Sequence, residues 1–168
     1  NDDSLGQKYE DGLIKENVKY FYKKKKETIN TGSCLILITP DFERTMCAYL
    51  GTAGKISEVD VKEDDIRRSE IVFLEGYLWD EGAPKKAFDK AISLSNSVAM
   101  SLSDQFCVER HKSSFLDLVK NKLDIVLANE QEILSLINVK TIEEVISFAK
   151  QLDKDFVITR GEKGSIAI

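Results

Sequence analysis

The sequence predicts an α/β fold in which a mainly parallel sheet is wound with helices, preceded by a small β-meander. Two observations carry this. From Ser57 onward, short apolar runs alternate strictly with amphipathic stretches. Strands separated by helices imply a parallel sheet with right-handed crossovers, and so a doubly wound α/β domain. Before Ser57, residues 18–56 hold three strand-like runs and no helical period. The expected division is 1–17 as a helix opening the α/β core, 18–56 as the meander, and 57–168 as the rest of the core, truncated at its C-terminal side.

Taken in order, residues 11–16 and those before them suit a short amphipathic helix. Residues 18–22, 33–39 and 44–50 read as strands, with Thr39-Pro40-Asp41-Phe42 as the turn between the second and third. Residues 59–69 suit a helix with Ser57 as its N-cap, and 71–74 (IVFL) a strand. A helix over 84–96 places Pro84 in its first turn. A strand over 98–102, a helix over 112–122 and a strand over 124–128 follow. The helix Glu130–Ile137 starts at Asn129, and a helix over 141–152 starts at Thr141, with Glu144 completing a capping box. Strands over 156–159 and 165–168 end the chain.

Composition narrows the function. A chain of 168 residues, 42% hydrophobic and 32% charged, is long enough for one domain with a real core. A net charge of −5 disfavours nucleic acid, and the basic run at residues 23–26 reads as a solvated edge. No apolar run is long enough to span a membrane, and no signal peptide is evident. Cys34, Cys47 and Cys107 form neither a disulfide framework nor a zinc motif, so a reducing, cytoplasmic setting is expected. The chain starts without Met and stops inside an apolar run, which reads as a piece of a longer protein.

If the strands are parallel, their C-terminal ends share one edge, where such folds bind ligands. Glu75, Tyr77 and Leu78 follow the first core strand; Asp104 and Arg110 follow the second. Asn129 and Glu132 follow the third; Thr159, Arg160, Gly161 and Gly164 follow the fourth. Glycines let backbone N–H groups approach phosphate oxygens, and Asn129 with Glu132 suits Mg²⁺ held through waters. Two plainer readings stand beside these. Asn129 and Glu132 form an ordinary capping box, and residues 159–164 form a hairpin turn that needs glycine. His111, the one histidine, is a weaker candidate because the sequence offers no Ser or Cys nucleophile evidently paired with it, and Cys107 and Cys47 read as packed or incidental.

The order of these pieces resembles the ribokinase-type sugar and nucleoside kinases, the PfkB carbohydrate kinase family. The resemblance rests on DDSLG near the start, TGSCLILITPDFERTMCAYLG, FLEGYLW, SLSDQFCVERH, the NEQE junction and the TRGEKG turn, and it covers essentially the whole chain. Within the family the chain is most similar to bacterial adenosine kinase-like members. The resemblance implies a ribokinase-like fold whose meander is a lid over the acceptor. It implies Mg²⁺ and phosphate roles for Asn129 and Glu132, and an ATP-bordering turn at Thr159, Arg160, Gly161 and Gly164. Glu75, Tyr77 and Leu78 would lie on the substrate side, and Asp104 and Arg110 along the phosphate path. The family's GAGD turn with its general-base Asp, its N-terminal Gly-Gly segment and its first substrate-binding Asp are absent here.

The function this implies is ATP-dependent transfer of the γ-phosphoryl group to a hydroxymethyl oxygen of a ribosyl-type sugar or nucleoside, adenosine first among them. The alternative is a non-catalytic nucleotide-binding or dimerisation module of the same fold. A homodimer through the lid sheet is expected because its strands leave an open edge that must be covered or charged, and residues 23–26 would supply charge.

Overall fold

The computed structural model describes residues 1–22, 24, 26–79 and 82–168. The chain divides into two compact units, Asn1–Ile56 and Ser57–Ile168.

The first unit contains helix α1 (Ser4–Lys15) and an antiparallel pair, β1 (Thr31–Ile38) and β2 (Arg44–Gly51). One carboxylate organises its start. Asp3 caps α1 by accepting from the Gly6 N–H at 2.8 Å, and accepts from the N–H and hydroxyl of Thr31 at 2.8 Å each. The Thr31 and Gly6 N–H groups hold the Asp3 carboxyl far below the usual carboxylate range. The expected turn is present: the Phe42 N–H donates to the Thr39 carbonyl at 2.9 Å.

Residues 18–22 form no strand, so the three-stranded meander is corrected to a two-stranded sheet. Their aromatic rings turn to one another and to α1 instead. Tyr20 and Tyr22 lie 5.0 Å apart, and the Glu10 carboxylate accepts from Tyr20. Lys24 pairs with Glu10 at 2.7 Å, while Lys23 and Lys25 of the predicted edge charge lie outside the described residues. Helix α1, expected with the core, clusters with the sheet of the first unit.

The second unit is built on a five-stranded sheet. Its strands are β3 (Val72–Glu75), β4 (Val98–Ser101), β5 (Ile125–Asn129), β6 (Asp155–Thr159) and β7 (Ser165–Ala167), lying side by side in that order. The first four are parallel, and β7 runs antiparallel to β6. The helices are α2 (Glu63–Arg68), α3 (Ala83–Leu94), α4 (Gln105–Arg110), α5 (Lys112–Asn121), α6 (Glu130–Ile137) and α7 (Ile142–Ala149). Met100, Val126, Phe156 and Ile158 of the strands pack with Phe115, Ile133, Leu136 and Val145 of the helices in one fully buried core.

Two helices differ from expectation. α2 starts late because Asp60 accepts from the Ser57 N–H and hydroxyl, closing a turn over residues where a helix was predicted. α4 was not anticipated. It starts because the Asp104 carboxylate accepts from the Cys107 N–H at 2.7 Å.

Candidate functional site

Because β3 to β6 are parallel, their C-terminal ends lie along one edge, and the structure links them in pairs. β5 and β6 are the closest-knit. Asn129 is the cross-strand partner of Thr159. From Asn129 the capping box of α6 follows: its Oδ1 accepts from the Glu132 N–H at 2.8 Å. In return the Asn129 N–H and Nδ2 donate to the two Glu132 oxygens at 2.9 and 2.6 Å. The plain capping reading is therefore present in full geometry.

Glu132 is nonetheless unusual. It is 4% exposed, and its partners here are neutral amide groups. Burial raises its pKa, the Asn129 N–H opposes that, and the charge of Asp104 raises it further. A buried carboxylate pressed by a like charge fits a nearby divalent cation. No three His, Cys, Asp or Glu side chains cluster at metal-binding distance among the described residues. Asn129, Glu132 and Asp104 are the oxygen-bearing side chains here that could hold a hydrated Mg²⁺.

The turn after β6 is a hairpin. The Arg160 N–H donates to the Gly164 carbonyl at 2.8 Å, and the Gly164 N–H to the Gly161 carbonyl at 3.1 Å. Gly161 (φ +59°) and Gly164 (φ +77°) both have open space where a Cβ would stand, so backbone conformation and not crowding requires glycine there. Arg160 is already engaged: its Nε and Nη2 donate to the two Glu130 oxygens at 3.0 and 3.4 Å. The hydrogen bond from Arg160 lowers the Glu130 pKa. From the sequence Glu130 is only the first residue of a helix, not a candidate site residue. Its signal was an acidic residue on one strand exit facing a basic residue on the next.

At the other end of the edge, Glu75 closes β3 opposite Ser101 and is exposed. Tyr77 is 42% exposed, whereas Leu78 packs against the core. The Tyr77 N–H donates to Ser103 Oγ at 3.2 Å and its phenol to the Ser103 carbonyl at 3.0 Å. Burial first, then the charges of Asp104, Cys107, Glu132 and Glu75, raise the Tyr77 pKa, so the β3, β4 and β5 exits act on one phenol. Arg110 ends α4, with Nη2 3.8 Å from Cys107 Sγ. The Cys107 thiol is pushed up to about 11 by burial and Asp104, which makes it a poor nucleophile. The His111 ring lies 5.7 Å from that of Phe115. A groove of about 520 Å³ lies between α3 and α5, lined by Trp79, Lys85 and Asp117 among others.

The model of the pfkB family carbohydrate kinases matches residues 1–168. The chain belongs to the PfkB carbohydrate kinase family. Two solved structures resemble this PfkB chain at more than fold level. A probable sugar kinase from Rhizobium etli CFN 42 is 32% identical, with a TM-score of 0.92 over 99% of this chain and 52% of its own. Adenosine kinase from Sinorhizobium meliloti is 33% identical, with a TM-score of 0.91 over 99% of this chain and 53% of its own. A putative ribokinase II from E. coli, solved with ATP and Mg²⁺, shares the fold at 19% identity and a TM-score of 0.84, over 99% of this chain and 56% of its own. No curated protein matches. The chain thus spans about half the length of these relatives. No helix among the described residues is long and apolar enough to cross a membrane.

Proposed function

We propose that the full-length protein is an ATP- and Mg²⁺-dependent kinase, which transfers the γ-phosphoryl group to a hydroxymethyl oxygen of a ribosyl-type acceptor. Adenosine is the first candidate, supported by the 33% identity to an adenosine kinase. The observation that carries the reading is the pairing of Asn129 with Thr159, which makes the exit that leads to Glu132 the neighbour of the exit that leads to the glycine turn. Bound Mg²⁺ supplies neutralisation of phosphate charge.

The chain's own residues divide the remaining work. Glu132 and Asp104 offer oxygen acceptors to the metal's waters, and Asn129 fixes the Glu132 carboxylate. Gly161 and Gly164 keep the turn open to a phosphate-bearing ligand. Arg160, held by Glu130, is positioned to exchange one carboxylate contact for a phosphate oxygen. Glu75 and Tyr77 face the acceptor side. Catalysis of this kind rests on position and charge.

The exposed apolar sheet of β1 and β2 supports a second copy of the protein as its cover, and so a homodimer. A cytoplasmic setting accords with ATP use and with three free cysteines.

The test is a phosphoryl-transfer assay of the full-length protein with ATP, Mg²⁺ and, separately, adenosine, ribose and fructose. Transfer is expected, fastest to adenosine. ATP binding without transfer to any acceptor overturns the kinase reading and supports a non-catalytic nucleotide-binding module.

A further inference from the structure

The exits of β3 and β4 are tied by two hydrogen bonds, both donated by Tyr77 and both accepted by Ser103. The Tyr77 N–H donates to Ser103 Oγ at 3.2 Å, and the Tyr77 phenol donates to the Ser103 carbonyl at 3.0 Å. Ser103 holds a φ of +76°, in the left-handed region that L residues enter at a cost. Ser101 helps keep it there: the Ser103 N–H donates to Ser101 Oγ at 3.2 Å, and Ser103 Oγ donates to the Ser101 carbonyl at 3.3 Å. The approach of the two exits is close. A Cβ on Gly76 would stand 2.9 Å from the Phe115 ring and 3.1 Å from the Leu102 carbonyl oxygen.

The consequence falls on the Tyr77 side chain. An exposed tyrosine ordinarily samples several rotamers, and a ligand that orders it bears that entropy. Tyr77 is 42% exposed, yet both its backbone N–H and its phenol are anchored to the same residue. Its ring is therefore held still while much of it faces solvent. It stands at the edge where the charges of Asp104, Glu132 and Glu75 reach it. A rigid, amphipathic ring at a ligand-binding edge is a preformed surface for another flat or semi-flat ring.

We propose that Ser103 is a positioning residue that locks Tyr77 as a rigid platform for the ring of the acceptor. This rests on the kinase reading above, and it adds a residue on which acceptor affinity depends without contact to the acceptor. Two variants separate the elements of the lock. Ser103→Gly accepts the positive φ without strain but lacks the hydroxyl. Tyr77→Phe keeps the ring and lacks only the phenol.

The experiment is steady-state kinetics on the full-length protein with ATP, Mg²⁺ and adenosine. Each variant is expected to raise the adenosine KM about three- to tenfold, the range of one lost hydrogen bond, and to leave the ATP KM unchanged. The double variant should raise the adenosine KM by less than the product of the two single effects, because either change loosens the same ring. Unchanged adenosine KM in both single variants, with an active wild type, overturns the positioning role and leaves the kinase reading standing. An equal rise in both KM values also overturns it, since that reports general loosening. A wild type that transfers to no acceptor overturns the kinase reading, and the acceptor role of Ser103 with it. If Ser103→Gly does not fold, Tyr77→Phe alone decides, because it deletes only the hydroxyl of a partly exposed side chain.

Discussion

Asn129 and Glu132 hold each other at both ends: the Glu132 N–H donates to Asn129 Oδ1, while the Asn129 N–H and amide donate to the two Glu132 oxygens. Capping and ligand binding make different demands on this pair, and one substitution separates them. Asn129→Ser retains an oxygen for the Glu132 N–H and removes the amide donor to the buried carboxylate. Stability in urea should fall by about 1 kcal/mol, the value of one net hydrogen bond. The kcat of the full-length enzyme should fall by well over the about fivefold that such a loss alone would explain. A folded, fully active variant would reduce the pair to a capping box.

The ion pair of Arg160 with Glu130 gives a second test. Arg160→Ala should raise the ATP KM about tenfold or more, as expected for a lost hydrogen bond to a charged group. Glu130→Gln should leave the ATP KM at or below the wild-type value, because it frees the guanidinium that Glu130 now holds. Matching rises in both variants would show that the pair is structural.

Gly161 and Gly164 are open to added volume but not to an altered backbone. Gly164 has φ +77° and ψ −140°, close to a region that is nearly glycine-only. Gly164→Ala should cost about 1–3 kcal/mol in urea unfolding. Gly161→Ala, at φ +59° and nearer the ordinary left-handed well, should cost about 1–2 kcal/mol.

The capping box of α7 predicts an acid dependence. The N–H groups of Lys140 and Thr141 donate to Glu144 at 3.1 and 3.0 Å and lower its pKa from 4.5. A carboxylate whose folded pKa is depressed contributes stability above its unfolded pKa, and loses it as pH falls through the folded value. The stability advantage of wild type over Glu144→Gln in urea should be constant near neutrality. It should shrink as pH drops below about 4.5. An advantage that does not change with pH would refute the assignment.

Sheet β1–β2 is apolar on both faces. Leu35, Leu37 and Tyr49 are exposed on one, and Ile36, Ile38 and Met46 on the other. A two-stranded sheet is marginal alone in water. Leu37→Lys and Ile36→Lys should each lower the sedimentation coefficient of the full-length protein if a second copy covers that face. Values that match wild type in both variants would exclude a dimer through this sheet.

The sequence by itself determined the succession of strands and helices from residue 71 onward apart from α4, the capping residues Asn129 and Thr141, and the polar strand exits at one edge. Each of these depends on residues a few positions apart, through side-chain period or a local hydrogen bond. Only tertiary structure decided the rest. Residues 18–22 are strand-like in composition but form no ladder; their rings pack on one another and the Tyr20 phenol turns to α1. α4 and the left-handed turn at Ser103 lie where no helical period or glycine announced them. The sequence allowed a hairpin at residues 159–164, and the antiparallel pairing of β7 with β6 decided for it. Tyr77 meets Ser103 and Arg160 meets Glu130 across neighbouring exits, 26 and 30 residues apart in the chain. Such pairs are set by which strands lie side by side. Local pattern carries no record of that, because sheet order is decided by burial of the whole core.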